Sequence, residues 1–205
     1  MLRSMPGRPG QSFFFTLLIS LIISACGSEY RYSEEKNYVL HANTDDVSVH
    51  KALKELTAKF NYRAGFTAIH YTDKKDEANS TINLVKGLTR CSEADDPKDK
   101  KIGCGQWLAD VAQDDPVGAI GGPRPRQVTS YSMRLELDDD WFRARMNATD
   151  SENQADLEKL YFHEVGHGLQ MGHDIGQPTS MMYPNISGNK DYDGFFRRVR
   201  AFFAI

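Results

Sequence analysis

Two rhythms of apolar and polar positions run through the chain. Val49, Leu53, Leu56 and Phe60 recur every three or four residues, one face of a helix, with Thr44, Asp45 and Asp46 as candidate N-caps and Gly65 placed to end it. Around this helix lie short stretches rich in β-branched and aromatic residues, at 38–41, 66–71 and 81–85, the last two separated by the charged turn 73–77. Residues 130–137 alternate cleanly: Tyr131, Met133, Leu135 and Leu137 share one side, and Ser132, Arg134 and Glu136 the other, so one face of that strand is buried. Helical spacing returns with Leu157, Tyr161, Val165 and Leu169, for which Thr149 and Glu152 offer a capping box; that helix is expected to run through Gln170. The chain closes on Tyr192, Phe195, Phe196, Val199, Phe202 and Phe203, an apolar stripe expected to dock on the core, with Arg197, Arg198 and Arg200 opposite. Residues 88–128 carry little periodicity and read as loops with one edge strand near 107–112.

Composition sets this domain in context. The chain has 205 residues, 40% of them hydrophobic and 26% charged, as in an ordinary globular protein. Its first 25 residues contain Arg3 and Arg8, an apolar run from Phe13 to Ile23, and the small residues Ser24 and Ala25 before Cys26. That is an export signal, too short in its apolar part for a membrane-spanning helix. Ile23, Ser24, Ala25 and Cys26 resemble a bacterial lipobox, which implies lipidation of Cys26 and a protein anchored by lipid in the bacterial cell envelope, on its periplasmic or cell-surface face. The expected organisation is a signal over 1–25, a spacer over 26–37 and one catalytic domain over 38–205. Residues 1–25 hold no acid, so their removal moves the formal charge from −3 to −5 and leaves no basic patch for nucleic acid. With Cys26 assigned to lipid, Cys91 and Cys104 form an even pair in an exported domain, and a disulfide between them is expected. Asp138, Asp139 and Asp140 could ligate calcium, but a solvated turn is the commoner fate of such a run.

The chemistry concentrates in His163-Glu164-Val165-Gly166-His167-Gly168-Leu169-Gln170-Met171-Gly172-His173-Asp174. His163 and His167 are four apart and leave a helix on the same side, where two imidazoles can share one zinc. His173 lies six residues further, roughly 240° around a continued helix, so the helix must stop and the chain turn back; Gly168 and Gly172 bracket that turn. Three neutral imidazoles leave a fourth position for water, the composition of a catalytic site, and Glu164 stands where a carboxylate can take that water's proton. His41, His50 and His70 lack ligand spacing and read as structural or surface residues.

This segment resembles the long zinc-binding motif of the metzincins, and Ser180-Met181-Met182-Tyr183-Pro184 resembles their Met-turn, in wording nearest the matrixins. The resemblance implies an α/β (α+β) domain: a twisted, mostly parallel sheet on two main helices, a zinc cleft, and a small irregular C-terminal part ending in a helix. It implies one catalytic zinc on His163, His167 and His173, and a hydrophobic floor below it from Met182, with Met181 as competitor. With Met181 in that role, Tyr183 falls two residues on, where some other metzincins place a tyrosine near the zinc or the transition state. A monomeric zinc endopeptidase acting on proteins or peptides outside the cytoplasm is the expected function; a non-catalytic, zinc-stabilised binding lipoprotein is the alternative. Two residues depart from the pattern. Gln170 stands where metzincins usually have glycine, and Asp174 follows the third histidine where matrixins usually have serine or threonine and adamalysins have aspartate, so the motif does not fix the branch.

Overall fold

Residues 30–31, 36–88, 101–111 and 126–204 are described by a computed structural model. Six strands form one mixed sheet: β1 (Tyr30–Arg31), β2 (Tyr38–Ala42), β3 (Ile69–Tyr71), β4 (Ser80–Val85), β5 (Gly103–Val111) and β6 (Arg126–Asp138). Their order is β1-β6-β4-β2-β3, with β5 paired to β6. Every pairing is parallel except β5 on β6, where Trp107 faces Met133 and Gly105 faces Leu135. Among the described residues four α-helices accompany the sheet: α1 (Val47–Ala64), α2 (Asp139–Met146), α3 (Ser151–Gly168) and α4 (Tyr192–Phe203).

The ends of α1 follow from its sequence. Asp46 accepts hydrogen bonds from the Ser48 and Val49 backbone amides, and Gly65, at φ 85°, ends the helix in the left-handed region that glycine enters without steric cost. Its apolar stripe of Val49, Leu53, Leu56 and Phe60 is fully buried or nearly so. α3 lies beside it on the same face of the sheet: the Thr57 and Tyr161 hydroxyls are 2.7 Å apart, and Phe60 meets Phe162 edge-on at 5.3 Å between ring centres. α4 closes the cluster, with Phe196 at 5.2 Å from Phe60 and 5.4 Å from Phe162. The C-terminal stripe therefore docks on the core, as its spacing predicts.

Five expectations are corrected. The edge strand expected near 107–112 is the nine-residue β5, which begins earlier, at Gly103, and the alternating strand begins at Arg126 rather than near residue 130; these two strands extend each other as an antiparallel pair. The N-cap of α3 is Asp150, whose carboxylate accepts from the Asn153 amide, one residue later than the expected cap at Thr149. α3 ends at Gly168 rather than at Gln170. The acidic run after β6 is a helix start, not a turn: Asp138 caps α2 through the Trp141 amide and Asp139 pairs with Arg143 at 2.6 Å.

Phe60 is 0% exposed and joins three helices, so Phe60→Ala should remove both its transfer free energy and the aromatic contacts. The expected cost is about 3–5 kcal/mol, read as a lower urea midpoint at an unchanged m-value. A loss below about 1 kcal/mol would show that the cluster does not hold the helices together.

Candidate metal centre

His163 and His167 leave α3 one turn apart, and a chain reversal carries His173 back toward them. The reversal is a Schellman motif. The Gln170 amide donates to the His167 carbonyl at 3.0 Å, the Met171 amide to the Gly166 carbonyl at 2.9 Å, and Gln170 takes φ 64°. Gln170 thus occupies the left-handed position that glycine usually fills, while Gly172 does not have a positive φ, so the turn is not displaced onto it. Gly168 serves packing rather than backbone freedom: a Cβ there would lie 2.8 Å from the Met133 sulfur.

The three histidines offer ring nitrogens that all lie within 4.8 Å of one another. His167 Nε2 is 3.1 Å from Nε2 of His163 and 3.1 Å from Nε2 of His173. His163 Nδ1 stands 2.7 Å from the Met181 carbonyl and His167 Nδ1 2.8 Å from the Met171 carbonyl. A carbonyl only accepts, so both Nδ1 atoms carry the hydrogen and both Nε2 atoms present lone pairs. Burial disfavours protonation of all three rings, and the neighbouring imidazoles add to this at His163, whose pKa falls to about 3. Neutral imidazoles with converging lone pairs repel one another unless a cation sits between them, and this set of nitrogen donors suits zinc.

Glu164 is 3% exposed, and burial pushes its carboxyl up to about 8 against one opposing influence, the Gly105 backbone amide that donates to it. Among the described residues its Oε2 has no hydrogen-bond partner. The niche is made by β5: a Cβ on Gly103 would lie 2.2 Å from Glu164 Oε1, and one on Gly105 would lie 2.1 Å from the Glu164 carbonyl oxygen. These two glycines were missed in the sequence because the edge strand was expected only near 107–112 and the residues before it read as loop. Their i, i+2 spacing, which puts both on one face of a strand close to another backbone, was the signal. An orphaned carboxylate oxygen deep in a metal-ready site is what a polarised water would satisfy.

The Met-turn lies beneath. A Cβ on Gly166 would be 2.4 Å from the Met182 sulfur, which sets Met182 against α3 between the two helical histidines. Met181 instead supplies the carbonyl that fixes His163, and both methionines are fully buried. Tyr183 is half-buried, with Lys190 Nζ 5.4 Å from its ring centre, and among the described residues no hydrogen bond joins it to the histidines. Cys104 sits on β5 between the two glycines, while Cys26 and Cys91 lie outside the described residues. The remaining histidines stand apart: His50 bonds the Thr44 carbonyl and the Tyr71 hydroxyl, His41 the Thr72 carbonyl, and His70 is exposed on β3. His41 and His50 line a cavity of about 980 Å³ formed by the ends of β2 and α1 rather than by the metal-binding segment.

A mostly parallel sheet with one antiparallel outer strand, over a helix carrying two of three converging histidines and a buried glutamate, defines a metzincin-type metallopeptidase domain. The sequence model of the matrixins matches residues 29–195, and the chain belongs to that family of zinc-dependent peptidases. No curated protein matches the chain.

Two predictions follow from this geometry. A non-glycine residue in the left-handed region costs roughly 1 kcal/mol, so Gln170→Gly should raise the melting temperature by about 2–4 °C, and Gln170→Val should lower it. Equal melting of the three proteins would mean that the turn bears no strain. The second concerns pH. Glu164 binds its proton more tightly folded than unfolded, so its contribution to stability is complete below its ordinary value near 4.5 and is lost as pH rises through about 8. In chelator-treated protein, Glu164→Gln should therefore melt near the wild-type temperature at pH 5 and clearly above it at pH 9. A gap that stays constant across this range would show that the carboxyl titrates normally.

Proposed function

We propose that this protein is a zinc endopeptidase, with zinc on His163, His167 and His173 and Glu164 as general base. The observation that carries the reading is the convergence of three neutral imidazole nitrogens beside a buried carboxylate with one unpartnered oxygen. Zinc held there supplies Lewis acidity, which lowers the pKa of water toward neutrality and polarises a scissile carbonyl. Glu164 takes the proton from the attacking water and delivers it to the leaving amine; its raised pKa suits a group that must both accept and donate near neutral pH. Met182 forms the apolar floor of the site, and Met181 holds the His163 ring through its carbonyl.

The substrate is a peptide in extended conformation. β5 is the outer strand beside α3, paired on one side to β6 and, among the described residues, to no strand on the other. A bound peptide adding to that edge would run past the metal with its backbone hydrogen-bonded. Lipidation at Cys26 and a Cys91–Cys104 disulfide complete the proposal, making the protein a monomeric, exported lipoprotein of the bacterial cell envelope, with the disulfide pinning β5.

Metal content measured by mass spectrometry and cleavage of a quenched peptide library test this reading together. The expectation is near one zinc per chain, cleavage abolished by chelator and restored by zinc, and loss of at least about 100-fold in rate with zinc retained in Glu164→Gln. Zinc without cleavage of any peptide would favour a zinc-stabilised binding lipoprotein, and absence of zinc would overturn the site.

A further inference from the structure

The residue after the third histidine, Asp174, engages three separate segments of the chain. Its Oδ2 accepts from Ser180 Oγ at 2.5 Å and from Arg198 Nη1 at 2.6 Å. Its backbone amide donates to the Met182 carbonyl at 3.0 Å, and Ser180 Oγ accepts in turn from the Met182 amide at 3.1 Å. One carboxylate thus joins the loop that carries His173, the turn that carries Met181 and Met182, and the C-terminal helix α4.

The three histidines are held unequally. His163 and His167 each have Nδ1 fixed by a backbone carbonyl, at Met181 and Met171. Among the described residues, no carbonyl or carboxylate fixes the His173 Nδ1, and His173 is the exposed member of the triad. Its position depends on the backbone at 173–174, and Asp174 is what ties that backbone down. The same carboxylate reaches His163 by a second route, because Ser180 and the Met182 amide shape the turn whose Met181 carbonyl orients that ring. Arg198 adds a planar charged donor from an independent helix, so the docking of α4 is coupled to the ligand loop.

We propose that Asp174, locked by Ser180 and by Arg198 of α4, is a positioning residue that sets His173 directly and His163 through the Met-turn in the geometry that binds zinc. The proposal rests on the zinc reading above. A serine or threonine at position 174 would be too short to reach Ser180 and Arg198 at once, so the link to α4 needs the carboxylate of Asp174.

Zinc affinity of the full-length chain, measured by competition with a chromophoric chelator, tests it without reference to catalysis. Asp174→Ala should weaken zinc binding about 10–100-fold. Asp174→Asn, which keeps an acceptor for Ser180 but loses the charge facing Arg198, should fall between it and wild type. Arg198→Met should weaken binding several-fold, Arg198→Lys should recover most of that loss, and Arg197→Met on the same helix should leave it unchanged. Circular dichroism identifies folded variants; should Asp174→Ala not fold, the Asp174→Asn and Arg198 series decides. Zinc affinity within twofold of wild type in folded Asp174→Asn and Arg198→Met would overturn the proposal, as would an equal loss in Arg197→Met. Failure of the wild-type chain to bind zinc would overturn the zinc reading itself, and this inference with it.

Discussion

Three imidazole lone pairs aimed at one point and a carboxyl group buried beside them are not held together by any attraction among themselves. Burial disfavours charge on each ring, and the rings raise one another's electrostatic cost. The surrounding polypeptide must hold this arrangement in place before a cation makes it favourable. Much of the architecture can be understood as the means of doing so. Backbone carbonyls hold two rings at Nδ1, a Schellman turn returns the third, and a strand with glycines at two alternate positions comes close enough to enclose the glutamate.

α3 shows how the same element serves stability and chemistry. Leu157, Tyr161 and Val165 face the core and anchor the helix against α1 and the sheet, while His163, Glu164 and His167 are projected by the same backbone toward β5 and the Met-turn. Because the helix is fixed by large aromatic contacts through Phe162 and Tyr161, small shifts of the ligands are resisted by close packing. Gly103 and Gly105 then set the distance on the other side. A side chain at either place would collide with Glu164 before the strand could reach its register with β6.

The sequence made the periodic parts of this arrangement legible. The buried stripe of α1, the alternation of β6, the four-residue step between His163 and His167 and the apolar face of α4 are local patterns with one dominant physical interpretation. What escaped depends on partners far away in the chain. β5 has two glycines and a tryptophan but no strong alternation of its own; it is a strand because β6 pairs with it. The acidic run 138–140 looks like a turn until Asp138 is seen to cap a helix whose buried Phe142 has somewhere to go. Asp174 and Arg198 are 24 residues apart and carry no mutual spacing signal, so their pairing emerges only when α4 is docked. The site residues were readable as a motif, but the residues that orient them were not.

The departure at Gln170 can be weighed on the same scale. A left-handed non-glycine residue costs roughly 1–2 kcal/mol, which is about a factor of 5 to 30 in an equilibrium constant. Against it stand the two hydrogen bonds of the Schellman motif, made by the Gln170 and Met171 amides, and the Met171 carbonyl that the same turn delivers to His167. Each pairs a polar group near the helix end, and such bonds contribute about 0.5–1.5 kcal/mol apiece. The turn is therefore favourable with glutamine in place, and the third histidine comes within 3.1 Å of His167, Nε2 to Nε2, despite it. A motif defined by its glycine is in physical terms a motif defined by a backbone conformation, and this chain adopts that conformation at a modest cost.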